Sequence, residues 1–243
     1  MVSRGVIVTG GLGGIGMAVA RQFAREGASI LLVDSRTDEG GRAAEALTAE
    51  GAARVLSVAL DIADDAAAAA AVDRAVAEFG ALDVIVNVAG MMIYREIAAL
   101  TGADWRRLLD VNLIGAALLV GQGLARMKPG GCIVNIASVH ARRTTALVAP
   151  YAAAKAALVS LTRSAAIEGK PRGIRVNAIL PGAIDTPMLR ESPAIKSGAE
   201  VLDESDVGQP EDIAALAGFL ASDAARFITG EDVVADNGRM GKL

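Results

Sequence analysis

The sequence predicts an α/β protein with a doubly wound parallel sheet of about seven strands and helices on both faces. Three observations lead to this prediction. Short apolar, β-branched segments recur along the chain, segments with helical spacing separate them, and no Pro-, Gly- or Ser-rich stretch divides it. Repeated strand–helix–strand units imply parallel pairing through right-handed crossovers. A chain of 243 residues suits one large α/β domain, so we expect a single domain over residues 1–243.

Continuous apolar segments are the predicted strands. Their apolar residues do not alternate with polar ones, which is typical of strands covered on both faces. In chain order they are residues 5–10, 29–34, 54–60, 82–90, 131–138, 173–180 and 231–236. The pattern therefore favours a sheet buried between two layers of helices.

Helical periodicity between these strands predicts the helices. They are residues 14–26, 38–50, 64–79, 101–127, 150–168 and 210–221. The alanine-rich stretch at 64–80 looks like low-complexity sequence, but alanine favours helix, and Val76 and Phe79 give the stretch an apolar face. We therefore interpret it as an ordinary helix, and we assign Trp105 of the fourth predicted helix to packing.

The segment at 182–208 lacks clear periodicity and contains two of the seven prolines. It follows a predicted strand end, which is where α/β folds bind ligands. We therefore expect a substrate lid at residues 183–208. The alternative is a surface excursion without a role in binding.

The charge balance excludes several classes of partner. The chain has 24 basic and 28 acidic residues and a formal net charge of −4. This balance gives no electrostatic footprint for nucleic acid or for an anionic membrane. No apolar run approaches the roughly 20 residues that span a bilayer. We therefore expect no nucleic acid and no membrane partner.

The cysteine content and the N-terminal residues indicate a cytoplasmic protein. A single cysteine, Cys132, excludes an intramolecular disulfide and leaves no cysteine cluster for zinc, so we expect no metal site. Its apolar surroundings predict a buried structural thiol. The first residues enter a strand directly and lack the pattern of a signal peptide.

A glycine-rich turn follows the first predicted strand, in VTGGLGGIGMAVA at residues 8–20. Such a turn lets the backbone approach a pyrophosphate and directs a helix N-terminus at its charge. Asp34 closes the second predicted strand, where a carboxylate can accept both hydroxyls of an adenosine ribose. Together they predict a dinucleotide site. The alternative for Asp34 is a helix N-cap and nothing more.

Thr9, Gly10, Gly14 and Gly16 have the spacing T-G-x3-G-x-G, which resembles the glycine turn of the short-chain dehydrogenases/reductases. This spacing differs from the tighter G-x-G-x-x-G of other dinucleotide enzymes. The resemblance implies a Rossmann-type fold and cofactor contacts along the turn. The implied contact residues are Gly10, Leu12, Gly14, Ile15 and Gly16.

The same family resemblance continues in order along nearly the whole chain. Asp61 and Ile62 are similar to its adenine-contacting segment, and residues 87–90 are similar to its N-N-A-G strand end, with Val88 in place of the second Asn. Residues 181–186 are similar to the segment that holds the nicotinamide carboxamide. The further cofactor contacts that this implies are Asp61, Ile62, Asn87, Ala89, Gly90, Pro181, Gly182, Ile184 and Thr186.

Tyr151 and Lys155 stand four residues apart in an alanine-rich helix, so their side chains share one face. A free phenol has a pKa near ~10 and is a poor base at neutral pH. A nearby ammonium favours the phenolate and is expected to lower the pKa of Tyr151. A tyrosine tuned in this way can move a proton to or from a substrate oxygen while a hydride moves to or from nicotinamide.

Two further side chains complete a resemblance to the catalytic residues of the family. Ser138 ends the fifth predicted strand, where its hydroxyl can hydrogen-bond a substrate oxygen. Ser138, Tyr151 and Lys155 match the family's Ser…Tyr-x-x-x-Lys arrangement. Asn112 matches its fourth member, which implies support for a water chain from Lys155 to solvent. The resemblance also implies that Tyr151 and Lys155 contact the cofactor.

Other polar residues near Ser138 leave alternatives open. His140, the only histidine, is either a contact to a polar substrate or a solvated loop residue. Arg142 and Arg143 are interpreted as surface or subunit-contact charges, with carboxylate binding as the alternative.

The residues near the ribose predict NAD rather than NADP. Asp34 places a negative charge where the 2′-phosphate of NADP would lie, and Gly13 offers no basic side chain in the turn. Arg36 could reach toward a phosphate, but we expect it to stack on adenine or lie in solvent because Asp34 partly cancels its attraction.

We therefore expect an NAD-dependent oxidoreductase that interconverts a secondary alcohol and a ketone. The substrate could be a sugar, a polyol, a hydroxysteroid or a 3-hydroxyacyl compound. The alternatives are an NADP-dependent 3-oxoacyl thioester reductase and a non-catalytic NAD-binding sensor. The resemblance also implies a homotetramer formed through the helices at 101–127 and 150–168.

Overall fold

All neighbouring strands of the sheet pair in parallel, as the alternation of strands and helices requires. The computed structural model describes residues 3–36, 39–196, 198 and 202–241. The strands are β1 (Gly5–Thr9), β2 (Ser29–Asp34), β3 (Arg54–Ala59), β4 (Val84–Asn87), β5 (Cys132–Ile136), β6 (Arg175–Pro181) and β7 (Asp232–Ala235). They form one seven-stranded sheet in the order β3-β2-β1-β4-β5-β6-β7. The predicted doubly wound α/β fold is confirmed.

The helices fall close to their predicted positions. They are α1 (Gly14–Arg25), α2 (Gly40–Ala49), α3 (Ala67–Phe79), α4 (Gly102–Leu109), α5 (Gly115–Arg126), α6 (Ala149–Gly169), α7 (Pro187–Arg190), α8 (Pro193–Lys196) and α9 (Pro210–Leu220). Asp38, where the second helix was predicted to begin, lies outside the described residues.

Two hydrophobic layers hold the helices on the two faces of the sheet. Successive side chains of a strand point to opposite faces, so Val6 and Val8 of β1 join one layer while Ile7 joins the other. The first layer includes residues of α1, α2 and α9, and the second includes residues of α3, α5 and α6. The continuous apolar strands thus serve two cores at once.

Strand β4 ends at Asn87, before the predicted end at residue 90. At this point the backbone N–H groups of Val88 and Ala89 donate to Oγ1 of Thr9 instead of a neighbouring strand, at 3.0 and 3.1 Å. The chain therefore leaves the sheet at this point and forms an edge of the crevice described below.

The helix predicted at 101–127 is interrupted by a π-helical segment, Asp110–Ile114, between α4 and α5. In the described part of the chain, one helical run, Gly102–Arg126, has the length and mean hydropathy (1.6) of a membrane span. Core helices of other proteins have the same properties, and 44% of its apolar window is buried inside the fold. It packs against α3 and α6.

The segment predicted as a lid contains short helices rather than unstructured chain. It includes α7, α8 and a 3₁₀ turn at Glu204–Asp206, and Ile184 forms an isolated bridge with Gly208. Arg190 pairs with Asp185 and with Glu204, each at 2.8 Å. Residues 197 and 199–201 of the predicted lid lie outside the described residues.

The order of the strands creates a crevice at the carboxyl ends of β1 and β4. The chain passes from β1 to β2 and β3 on one side and continues from β4 to β7 on the other. Connections that leave adjacent strands in opposite directions open a crevice, and ligands of doubly wound sheets bind there.

A buried chain of hydrogen bonds joins β4 and β5 to α6. Nδ2 of Asn87 donates to Oδ1 of Asn135, and Nδ2 of Asn135 donates to Oγ1 of Thr162, both at 2.9 Å. Oγ1 of Thr162 in turn donates to the carbonyl of Leu158 at 2.8 Å. Asn135 and Thr162 are fully buried, so these bonds fix the position of α6 on the sheet.

Thr162→Val should therefore lower the free energy of unfolding. Valine preserves the shape of threonine but leaves Nδ2 of Asn135 without its acceptor, at a cost of about 1–3 kcal/mol. Urea unfolding measures this change. Ser160→Ala, an exposed substitution on the same helix, should stay within about 0.5 kcal/mol of wild type. Equal effects of the two substitutions would contradict the structural role of the buried chain.

Candidate active site

A cavity of about 600 Å³ opens at the crevice between the carboxyl ends of β1 and β4. Its volume lies within the range of small-molecule and cofactor sites. Most of the predicted site residues line it: Gly10, Leu12, Gly14, Ile15, Gly16, Asp34, Asp61, Ile62, Ala89, Gly90, Ser138, Tyr151, Lys155, Pro181, Gly182, Ile184 and Thr186. The other two, Asn87 and Asn112, are buried at 3% and 1% exposure and lie behind the cavity wall.

The glycine turn places bare backbone at one end of this cavity. Gly10 has φ of 61°, and its carbonyl accepts from the N–H of Gly13 at 3.0 Å. A Cβ on Gly16 would lie 2.0 Å from that same carbonyl oxygen, so a larger residue does not fit. Gly13 is the N-cap of α1 and has no side chain to satisfy the first N–H groups of the helix. These groups fit the pyrophosphate of a dinucleotide.

Asp34 connects the end of β2 to the glycine turn. Its Oδ2 accepts from the N–H of Leu12 at 3.0 Å, and its Oδ1 accepts from the N–H of Arg36 at 3.1 Å. Burial raises the pKa of Asp34, but the hydrogen bonds from Arg36 and Leu12 outweigh it and hold the pKa below its usual value. Glu39, not Asp34, is the N-cap of α2. The N-cap alternative for Asp34 is therefore wrong.

Arg36 is exposed to solvent, as one of the two expectations states, but it also forms an ion pair that was not predicted. Its Nε and Nη2 donate to the two carboxylate oxygens of Asp34 at 3.1 and 3.2 Å. Its Nη1 also lies 3.4 Å from Oε2 of Glu39. The side chain is 45% exposed. The attraction of Asp34 two residues earlier accounts for this geometry.

Asp61 stands at the same end of the cavity. Its Oδ1 accepts from the N–H of Ala63 at 3.0 Å, and its Oδ2 lies 3.0 Å from Nη1 of Arg107. Ile62 packs against Gly115, where a Cβ would lie 2.4 Å from the carbonyl oxygen of Ile62. The predicted adenine-contacting segment is thus held against the start of α5.

Asn112 lies within the π-helical segment and holds the chain that follows β4. Its Nδ2 donates to the carbonyls of Leu108 and Met91 at 2.9 and 3.0 Å, and its Oδ1 accepts from the N–H of Met91 at 3.2 Å. A Cβ on Gly90 would lie 2.9 Å from this Oδ1 and 3.6 Å from Nζ of Lys155. Glycine at position 90 therefore leaves the space between Asn112 and Lys155 open.

Asn87 and Val88 differ in their roles at the end of β4. Nδ2 of Asn87 donates to Asn135, but its buried Oδ1 has no hydrogen-bond partner among the described residues. Val88 packs against the core layer that contains α1. The apolar residue at 88 is thus accommodated by packing, and the support of this strand end comes from Thr9 and Asn135.

Ser138, Tyr151 and Lys155 meet in the cavity wall. Tyr151 is 8% exposed, and the side chain of Ser138 is close enough to favour a lower pKa for its phenol. Nζ of Lys155 donates to the carbonyl of Ile136 at 2.8 Å and lies 5.6 Å from the centroid of the Tyr151 ring. The backbone N–H of His140 donates to Oγ of Ser138 at 3.2 Å. The structure therefore brings three of the four predicted catalytic side chains together, while Asn112 lies outside the cavity lining.

The pKa values of this pair contradict the expected lowering at Tyr151. Burial raises the pKa of Tyr151 to about 12, Tyr94 adds to the rise, and Ser138 only partly opposes it. Burial also lowers the pKa of Lys155 to about 8. The largest cause of both shifts is the same: removal from water disfavours the charged form of each group.

The nicotinamide-contacting segment predicted at 181–186 forms the opposite wall. Pro181 pairs with Ala235 of β7, and the N–H of Gly182 donates to the carbonyl of Ala235 at 2.9 Å. Thr186 caps α7, since its Oγ1 accepts from the N–H of Leu189 at 3.4 Å. A Cβ on Gly14 would lie 2.9 Å from Cγ2 of Thr186. The predicted segment thus lies close to the glycine turn.

His140 lines the cavity and contacts the tyrosine. Its ring meets that of Tyr151 edge to face, with centroids 5.9 Å apart and an interplanar angle of 78°. Its Nδ1 lies 3.3 Å from Oγ1 of Thr144. The imidazole thus lies at the cavity surface beside the tyrosine ring.

Arg142 and Arg143 point away from this cavity. Arg142 and Arg163 pair with the two carboxylate oxygens of Asp232, at 2.5 and 2.8 Å. Nη1 of Arg143 donates to the carbonyl of Met240 at 2.7 Å. The arrangement matches the surface interpretation and not carboxylate binding in the cavity.

Cys132 does not line the cavity. Cys132 is buried, its Sγ donates to the carbonyl of Leu220 at 3.3 Å, and burial raises the pKa of this thiol to about 11. Within residues 3–36, 39–196, 198 and 202–241, no three His, Cys, Asp or Glu side chains are grouped to hold a metal ion.

Sequence motifs do not reveal the apolar wall near Tyr151. This wall is formed by residues of loops and of the short helices α7 and α8, which have no recognisable spacing, so periodicity carries no signal for it. Its residues include Met91, Met92, Tyr94, Leu147, Val148, Met188, Leu189 and Ile195, and Arg239 also lines the cavity. Tyr94 is one of only two tyrosines, which is the one compositional hint available.

Comparisons with known proteins agree with this geometry. A family sequence model described as enoyl-(acyl carrier protein) reductase matches residues 10–239. Cis-4-hydroxycyclohexanecarboxylate dehydrogenase of Sinomonas cyclohexanicum is 39% identical, covering 97% of this chain and 96% of that protein. L-rhamnose 1-dehydrogenase (NAD(P)(+)) of Azotobacter vinelandii is 36% identical, covering 98% and 97%.

A solved structure agrees as well. The blue fluorescent protein from a metagenomic library, in complex with NADPH, is 33% identical, with a TM-score of 0.89 over 97% of both chains. The glycine turn, the Ser138, Tyr151 and Lys155 cluster and these full-length similarities lead to one conclusion: the chain belongs to the short-chain dehydrogenase/reductase family and is an NAD(P)-dependent oxidoreductase that acts on CH–OH groups.

Proposed function

We propose that the protein interconverts a secondary alcohol and a ketone with NAD, and that Tyr151 is the general acid and base. One observation carries the proposal. Tyr151 lies beside Ser138 and Lys155 in the same cavity as the glycine turn. A proton-transfer group and a dinucleotide cradle in one cavity suit hydride transfer at a carbinol carbon.

Ser138, Tyr151 and Lys155 have different roles in the proposed proton transfer. Ser138 and Tyr151 hold the substrate oxygen, and the Tyr151 hydroxyl gives its proton to a ketone or takes one from an alcohol. When bound, oxidised NAD would supply both the hydride acceptor and a positive charge, and reduced NAD would supply the hydride. Because burial raises the pKa of Tyr151 to about 12, the free enzyme holds a neutral phenol, which suits donation to a ketone. Alcohol oxidation requires a cation to favour the phenolate, and Lys155 is the nearest candidate.

The cofactor would lie along the glycine turn. The N–H groups at the start of α1 would bind the pyrophosphate, and Asp34 and Asp61 would bind the adenosine end. Residues 181–186 and Lys155 would hold the nicotinamide end. Asn112 would act as a positioning residue, since it holds Met91 and borders the space beside Lys155.

NAD is favoured over NADP because a carboxylate occupies the end of β2. Asp34 is 9% exposed and is held in place by Leu12, so it cannot readily move away from a 2′-phosphate. Arg36 partly neutralises it. This ion pair, together with the NADPH bound by the similar structure, makes NADP the second candidate.

The substrate side of the cavity favours an alcohol with an apolar ring or chain. Met92, Tyr94, Met188 and Leu189 line it, and hydrocarbon surfaces there gain by excluding water. The name of the 39% identical relative contains a hydroxylated cyclohexane ring, which agrees with such a substrate. The relative named for L-rhamnose keeps a sugar, with its several hydroxyl groups, as the alternative.

We also propose a cytoplasmic homotetramer, with residues 183–208 as a lid. Ile114, Leu118 and Ile167 are 40%, 36% and 74% exposed on the helical run at 101–127 and on α6. Apolar side chains on the two helices implied to form subunit contacts support this assembly. The lid proposal is supported by Met188, Leu189 and Ile195, which line the cavity from α7 and α8.

Tyr151→Phe should lower kcat by about 10²–10⁴-fold, the usual contribution of general acid–base catalysis. The fold and the affinity for NAD should be retained, since only the hydroxyl is removed. Steady-state kinetics on a secondary alcohol and NAD titration by fluorescence measure the two effects. A variant within threefold of wild-type kcat would refute the role of Tyr151.

Asp34→Ala should bring kcat/KM for the two cofactors together. One charge-assisted hydrogen bond plus repulsion gives wild type a preference for NAD of roughly 30–150-fold. Arg36→Ala is the matched control, because removal of the neutralising cation should widen the preference. Equal kcat/KM values for NAD and NADP in the wild type would contradict the assignment.

The stability of the protein should rise between about pH 8 and 10 through Lys155. Burial lowers the pKa of Lys155 to about 8 in the native state from 10.5, so the unfolded chain binds more protons in this window and stability grows with pH. The contribution is lost as pH falls through 8.

Urea unfolding at pH 7.5 and pH 9.5 measures this dependence. Lys155→Met should remove the rise, whereas Lys170→Met, at an exposed position, should retain it. The contribution of Tyr151, whose pKa is raised to about 12, is lost only as pH rises above about 10 and leaves this window unaffected. An unchanged rise in Lys155→Met would refute the assignment to Lys155.

A further inference from the structure

Leu147 has an unusual backbone conformation beside the candidate active site. Its φ is 70°, and the only other described non-glycine residue with a positive φ is Asn237. Asparagine tolerates the left-handed region, but a leucine side chain there crowds the backbone. Strain of this kind persists only where neighbouring contacts impose it, and it concentrates at functional sites.

The contacts that impose it come from both sides of Leu147. The N–H of Arg95 donates to its carbonyl at 2.9 Å. Arg95 is itself held by an ion pair with Asp104 at 2.6 Å, within the capping box at the start of α4. On the other side, Val148 is 3% exposed and is the N-cap of α6, the helix that carries Tyr151. The strained residue therefore lies between two fixed elements.

The backbone conformation of Leu147 places its apolar side chain in the cavity wall, and this residue comes four positions before Tyr151. Leu147 lines the cavity together with Met92, Tyr94 and Met188. A glycine would adopt this φ without strain, so the backbone alone does not account for leucine. Leucine at this position costs conformational energy that glycine would not, so we infer that its side chain has a role in the cavity.

We propose that Leu147 is a specificity-determining residue, whose hydrocarbon side chain selects an alicyclic secondary alcohol over a polyol. The proposal rests on the function proposed above and names its substrate class. A hydroxyl group placed against Leu147 would lose its hydrogen bonds to water without replacement, whereas a ring methylene would not. His140 and Thr145 also line the cavity and remain available to a single further polar group.

Leu147→Asn tests the chemistry of the side chain. Asparagine tolerates positive φ, is close to leucine in size and offers an amide. The measurement is kcat/KM for cyclohexanol and for L-rhamnose with NAD. The ratio of the two should fall at least about tenfold, the scale of a lost apolar contact. Ile97→Asn, at a 67% exposed position absent from the cavity wall, should leave the ratio within twofold.

Leu147→Gly and Leu147→Ala test the strain. Both variants remove the side chain, but only glycine relieves the positive φ. The Gly variant should therefore have the higher Tm, which is the reverse of their order at ordinary loop positions. Both should also lower kcat/KM for cyclohexanol.

The outcomes separate this proposal from the proposed function. Turnover by wild type with an unchanged substrate ratio in Leu147→Asn overturns the role of Leu147 alone. A wild type that oxidises neither alcohol contradicts the proposed function. In that case, binding of cyclohexanol in the presence of NAD is compared by saturation-transfer NMR. Weaker binding to Leu147→Asn than to wild type supports the role of Leu147, and equal binding overturns it.

Discussion

One buried hydrogen bond, from Nζ of Lys155 to the carbonyl of Ile136, sets the geometry of the candidate site. It joins α6 to the end of β5. Ser138 lies two residues beyond Ile136, and Tyr151 lies one helical turn before Lys155, so this single bond fixes the approach of the two hydroxyls. The bond between Asn135 and Thr162 repeats the connection farther along the same helix. The hydrogen bonds at Lys155 and Thr162, two turns apart on one face of α6, fix both the axial position and the orientation of the helix relative to the sheet.

Much of the fold could be predicted because strands covered on both faces leave a strong pattern. The apolar segment of β1 serves two cores at once, and such segments stand out from the helices between them. The site residues on strand ends and helix starts, such as Asp34 and Ser138, could be predicted for the same reason: their elements fix where they lie. The end of β4 could not be predicted correctly from the sequence, because it depends on hydrogen bonds to Thr9, which is distant in sequence.

Other features were beyond reach because they depend on burial and on three-dimensional neighbours. Charge proximity alone suggested a lowered pKa for Tyr151, but burial raises it. Arg36 is exposed, as one expectation states, but its ion pair with the carboxylate two residues away was not predicted. The positive φ of Leu147 arises from a contact with Arg95 in another loop. Neither the burial of Tyr151 nor the contact between Leu147 and Arg95 is marked by spacing or composition.

The ion pairs of Arg190 with Asp185 and Glu204 give the segment above the cavity a sensitivity to its surroundings. These side chains are all exposed by about two-fifths or more, so dissolved ions reach them. Screening acts over about 8 Å at physiological ionic strength and over a shorter range in concentrated salt. We therefore expect the ion pairs between α7 and the turn at Glu204–Asp206 to weaken as the salt concentration rises. The buried hydrogen bonds that hold α6 are not screened in this way. Salt concentration thus acts on the cavity wall that α7 and α8 line and not on the wall that α6 lines.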